Sequence, residues 1–108
     1  MEAFYKCTSL VYADLTTRGL QQTNIFNSCS SFTTLILRHT SVVPLAATNS
    51  FGSTPFASGG IGGTIYIPKS LYDHLGDNSA SDYKAATNWS TLNSYGTITW
   101  AKIEGSQY

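Results

Sequence analysis

Two histidines, two cysteines and one short acidic stretch are the residues of this chain that could do chemistry. His39 follows a strand-like run and His74 ends a helix-like one; each reads as a surface or helix-terminal residue rather than a catalyst. Asp73 directly precedes His74, but adjacent helical residues point in different directions and make no ready acid–base pair. "DNSASD", from Asp77 to Asp82, faintly suggests calcium. It lacks the full ligand series and terminal glutamate of an EF-hand loop, so capping and turn roles explain it better. "GGIGG" has no Lys-Ser/Thr after it and precedes a strand, not a helix, so it is no phosphate loop. No G-x-S-x-G elbow occurs. "NWS" at Asn88 matches a glycosylation acceptor but falls in a helix-like segment. The sequence therefore predicts no catalytic residues, no cofactor and no metal; two cysteines without neighbouring ligands make a poor metal site.

Charge is scarce. Only 11% of the 108 residues are charged, six basic against six acidic. No basic stripe exists to neutralise phosphates, which argues against nucleic acid and against an anionic membrane surface. No apolar run approaches the roughly 18 residues of a membrane span, and the start does not read as a signal peptide. Solubility must come from Ser, Thr, Asn and Gly, a surface common on secreted, cell-surface and virion proteins.

The elements that would position these residues repeat. "EAFYKCTSL" returns further along as "NIFNSCSSF", with Phe4 matched to Phe26, Cys7 to Cys29 and Leu10 to Phe32. Ala13 and Leu15 match Leu35 and Leu37, a period of two that marks short strands. A unit with one apolar face buries it only by stacking on the next unit, so the same inward slots recur at every coil. Cys7 and Cys29 would share one slot as small apolar thiols, with a disulfide within reach of neighbouring coils. Phe51 offers a third aromatic anchor at a similar interval after Phe26, and no Cys follows it. "ASGGIGG" reads as a flexible loop and "TIYIP" as a strand ended by Pro68.

Beyond residue 68 the pattern changes. "KSLYDHLG" reads as a short helix closed by Gly76. "SASDYKAATNWSTL" reads as a longer helix with Ser79 and Asp82 as a capping box and an apolar face of Ala85, Ala86, Trp89 and Leu92. "GTITWAKI" reads as a last strand. The 82–92 helix, Trp89, Ile98 and Trp100 together would plug the open end of the stack.

The pattern A-F-x-x-C-x-S-L before an alternating strand, carried by Ala3, Phe4, Cys7, Ser9 and Leu10, resembles the BspA-type leucine-rich repeats of bacterial surface proteins. The second copy departs from it, with Ile25 for Ala and Phe32 for Leu. "YIP" followed by "DYKAATNW" is similar to the segment that closes such arrays in gut-bacterial and phage-encoded proteins, with 74–81 as an insertion. The resemblance implies one domain over 1–108, of α/β to mainly β class. It would be a short right-handed leucine-rich-repeat solenoid of parallel strands, with about three units over 1–68 and a helical cap and final strand over 69–108. It further implies an extracellular or cell-surface protein, or alternatively a phage virion component, with further repeats upstream. The expected function is non-catalytic: a rigid surface for a protein or glycan ligand. The outward strand residues Tyr12, Asp14, Thr34, Ile36, Arg38, Thr64 and Tyr66 would line it.

Overall fold

The computed structural model describes residues 7–15 and 26–105. Four short strands, β1 (Tyr12–Leu15), β2 (Thr34–Leu37), β3 (Gly63–Ile67) and β4 (Ile98–Lys102), form one sheet in the order β1-β2-β3-β4. Every pairing is parallel, and Ala13, Leu35, Ile65 and Trp100 stand in one row across the sheet. All four of these side chains point into the core. The coarse expectation of a parallel, mixed α/β chain is therefore met. Phe4 lies outside the described residues, as do the Ala3 position and residues 16–25 and 106–108.

The segments between strands pack ring on ring. Phe26 stacks on Phe32 at 4.4 Å and on Phe51 at 5.5 Å, and Phe56 meets Phe51 edge-on at 5.6 Å. The Phe26 N–H donates to Ser50 O at 3.0 Å and the Ser28 N–H to Gly52 O at 2.8 Å, tying the second coil to the third. Ser28 and Ser53, at matching places in the two coils, both adopt positive φ, 65° and 57°. The third unit is thus a true copy of the second, F-N-S-C against F-G-S-T. Thr54 takes the cysteine's place, which the reading "no Cys follows" missed. Its buried hydroxyl donates to Phe51 O at 2.6 Å and accepts from Phe56 N at 3.1 Å, so the polar atom is satisfied within its own turn.

The 57–63 segment is not a loose loop. Gly60 N–H donates to Ala57 O, Gly62 N–H to Pro55 O and Gly63 N–H to Thr97 O, at 2.8–2.9 Å. Gly63 is where β3 passes closest to its neighbours. A Cβ there would lie 2.5 Å from Thr33 O and 2.7 Å from the Phe56 ring.

After β3, Pro68 starts the short helix α1 (Lys69–Tyr72), and the turn beyond it ends at Gly76 with φ 88°. The expected 79–92 helix is corrected: only α2 (Trp89–Ser94) is helical. Its capping box does not form. Asp82 is buried, and its carboxylate accepts from Asn78 N and Lys84 N, both at 2.9 Å. Those bonds hold 79–86 in successive i→i+3 turns, the familiar competition of an Asp side chain with the helix. Asn88, at φ 67°, then breaks any continuation and donates its amide to Leu45 O at 2.7 Å. β4 extends the sheet by one parallel strand along the edge of β3, and Trp89, Leu92 and Trp100 are buried in the core.

The segment between α1 and β4 covers the connection after β2. Tyr83 and Trp89 grip one residue, Val43, from both sides. The Val43 N–H donates to the Tyr83 hydroxyl at 3.1 Å, and the Trp89 Nε1–H donates to Val43 O at 2.8 Å. Both rings are fully buried, and they meet edge-on at 5.4 Å. Burial pushes the Tyr83 phenol up to about 12, against the opposing pull of the Val43 N–H. Trp100 lies 5.3 Å from Tyr83 and 5.9 Å from Trp89, so the aromatic column runs unbroken from the coils into the cap.

Trp89→Ala should cost about 3–5 kcal/mol in urea unfolding. Trp89→Phe should cost about 1–3 kcal/mol, because it keeps a ring but strands the Val43 carbonyl. A Trp89→Phe loss near zero would show that the indole bond contributes nothing. Gly63→Ala should cost about 1–3 kcal/mol through overpacking, read by the same denaturation.

Candidate recognition face

Strand residues alternate between faces, so those between the core positions share the outer side of the sheet. Across the register they fall into two rows. Tyr12, Thr34, Thr64 and Thr99 make the first; Asp14, Ile36, Tyr66 and Ala101 make the second. Arg38 follows β2 directly and reaches Asp14. Its Nε donates to Asp14 Oδ1 at 2.7 Å and its Nη2 to Oδ2 at 2.8 Å, a fork-to-fork pair joining the first two coils. Hydrogen bonding from Arg38 holds the Asp14 carboxyl below its ordinary range. The seven residues expected on this face are therefore brought together.

Their exposure is uneven. Tyr12 is 50% exposed, and Asp14 and Arg38 are open to water. Thr34, Thr64 and Tyr66 are half-buried. Ile36 is the correction. It stands on the outer side yet is 0% exposed, so it cannot touch a ligand and belongs to the packing of that side. Thr99, exposed on β4, completes the first row and is not among the seven expected residues. The alternation in "ITWAK", which matches "GTIYI" residue for residue, carries the signal.

The histidines take no common site. His39 is half-buried with both ring nitrogens buried and without a hydrogen-bond partner. His74 Nδ1 lies 2.6 Å from Asp77 Oδ2, three residues on, a pairing that attention to Asp73 overlooked. Asp73 instead pairs with Lys69 at 2.7 Å. The His74–Asp77 pair is surface-exposed, and no pocket forms among the described residues. Ser79 serves the Asp77 carboxylate rather than the imidazole, giving its N–H to Oδ1 at 2.9 Å. The acidic stretch is consumed in the same manner. Burial alone would raise Asp82, but the N–H groups of Gly76, Asn78 and Lys84 together hold it below the usual carboxylate value. Each carboxylate is turned to its own donors rather than to a shared centre. Among the described residues no helix is long and apolar enough to cross a membrane.

Comparison with protein-family models, with curated proteins and with solved structures gave no match.

Hydrogen bonding from the Ser79 side chain, then from His74, then from the Ser79 N–H, lowers the Asp77 carboxyl to about 2 from an ordinary 3.8. Because the folded value is depressed, its stabilising effect is complete above the ordinary value and is lost as pH falls toward about 2. A carboxyl-detected NMR titration should place the midpoint there. Ser79→Ala should raise it more than His74→Ala, and a midpoint unmoved by Ser79→Ala would refute the assignment.

Proposed function

We propose that the chain is a non-catalytic repeat module whose outer sheet side presents a rigid surface to a protein or glycan ligand, in a bacterial surface or secreted protein. The observation that carries this reading is the in-register row of Tyr12, Thr34, Thr64 and Thr99 beside the Asp14–Arg38 fork. Stacked coils hold these side chains at fixed spacing, roughly 4.8 Å from strand to strand. A ligand therefore meets a preformed surface and pays little to order it. Tyr12 supplies an amphipathic ring at low entropic cost. The fork cancels its own charge, so the surface offers hydrogen bonds without a net field.

The sequential, all-parallel strand order and the coil-to-coil bonds at Phe26 and Ser28 also support reading the chain as a leucine-rich-repeat solenoid of the BspA type. In that reading the chain from α1 onward is its cap, and further repeats would pair with the outer edge of β1.

Glycan and protein arrays probed with wild type, Tyr12→Ala and Arg38→Ala test the surface. Binding should fall at least tenfold in both variants while their urea midpoints stay within error of one another. Equal binding by all three would remove this face from consideration.

A further inference from the structure

The two thiols occupy equivalent places in adjacent coils. Cys7 stands five residues before Tyr12, and Cys29 five residues before Thr34, its registered partner. Each opens the same turn: Leu10 N–H donates to Cys7 O at 3.0 Å and Phe32 N–H to Cys29 O at 3.1 Å. Neither Cys7 nor Cys29 is in a disulfide, and the Cys7 side chain lies within hydrogen-bonding reach of Cys29. Parallel coils about 4.8 Å apart lie inside the Cα range that a disulfide tolerates, about 4.4–6.8 Å. The two sulfurs differ in access. Cys29 is 0% exposed within the aromatic core, whereas Cys7 is half-buried at its margin.

The geometry points to an inducible inter-coil disulfide, formed by exchange with a small-molecule disulfide that reacts first at Cys7. The Cys7 thiolate attacks one sulfur of the reagent; a Cys7–reagent S–S bond forms and one reagent thiolate leaves. The Cys29 thiolate then attacks Cys7 Sγ, and the second reagent thiolate leaves. Both cysteine protons end on the two released thiols, so the reagent is reduced by two electrons and the pair is oxidised by two. The order follows from access and from thiolate supply. Burial pushes the Cys29 thiol up, which keeps it protonated and slow toward outside reagents. Once Cys7 carries the adduct, Cys29 is held against the sulfur it must attack, and exchange becomes intramolecular. The bond would close the chain from Cys7 to Cys29 into a loop and restrict the unfolded state.

The test treats purified protein with oxidised glutathione at neutral pH and maps the unreduced digest by mass spectrometry. Wild type should lose two hydrogens, yield a Cys7–Cys29 linked peptide, retain no glutathione and melt several degrees higher. Cys29→Ser should retain one glutathione, on Cys7. Cys7→Ser should retain none until urea unfolds it. The wild-type product decides the matter even where a variant folds poorly. Wild type that stays reduced, or that holds glutathione on Cys7 without closing, overturns the inference. So does folded Cys7→Ser that reacts as readily as Cys29→Ser.

Discussion

The structure depends on one constraint: short parallel strands cannot cover their own apolar face, so the segments between them must pack rings against one another. Phe26, Phe32, Phe51 and Phe56 meet this demand with centroid separations of 4.4–6.4 Å. Aromatic pairs contribute roughly 0.5–1.5 kcal/mol each beyond the area they bury. The larger consequence is geometric. Stacked rings fix the coil-to-coil rise, which fixes the strand register, which in turn sets the spacing of every side chain on the outer face. The left-handed serines at 28 and 53 belong to the same constraint. They turn the chain at the same place in each coil, so that the ring before them and the small residue after them both face inward.

The segment between α1 and β4 continues that logic by other means. The connection after β2 is too irregular to stack, yet Val43 and Leu45 are buried. Their peptide groups need partners that no neighbouring strand supplies. Tyr83, Trp89 and Asn88 supply them, to Val43 N–H, Val43 O and Leu45 O. These three side chains come from the stretch that periodicity assigns to one helix. A continuous helix would aim them along one stripe. The turns imposed by Asp82, and the left-handed Asn88, let them converge on two residues of a single strand-like segment instead.

That conflict explains what could be read from the residues alone and what could not. Strands β1 to β4, the short α1 and the inward rows were legible because alternation over four or five residues is a strong signal in a half-buried strand. The 79–92 segment was misread because its apolar spacing fits a helix while the deciding event, a buried carboxylate taking backbone N–H groups, leaves no periodic trace. Thr54 escaped because the slot was defined by chemistry, Cys, rather than by size and local bonding. Ile36 was assigned correctly to the outer side, but its burial depends on what lies over that side, which alternation does not encode. The Asp14–Arg38 fork needed only the register, and the register needed only the repeat.

Thr54 also bears on why positions 7 and 29 carry cysteine. If the slot required only a small, buried group, a threonine able to bond its own turn would serve in each, as it does in the third coil. There the Phe51 carbonyl takes the hydroxyl, and Phe56 N–H is given to it in return. In the second coil the matching carbonyl, Phe26 O, already accepts the Cys29 N–H at 3.0 Å. A hydroxyl at 29 would have to share that carbonyl inside an aromatic core or incur the cost of a buried, under-bonded polar group. A thiol is a weak donor and acceptor and tolerates that setting. Cysteine at 29, and by coil equivalence at 7, is therefore a packing choice first. The side-by-side thiols follow from the stack itself.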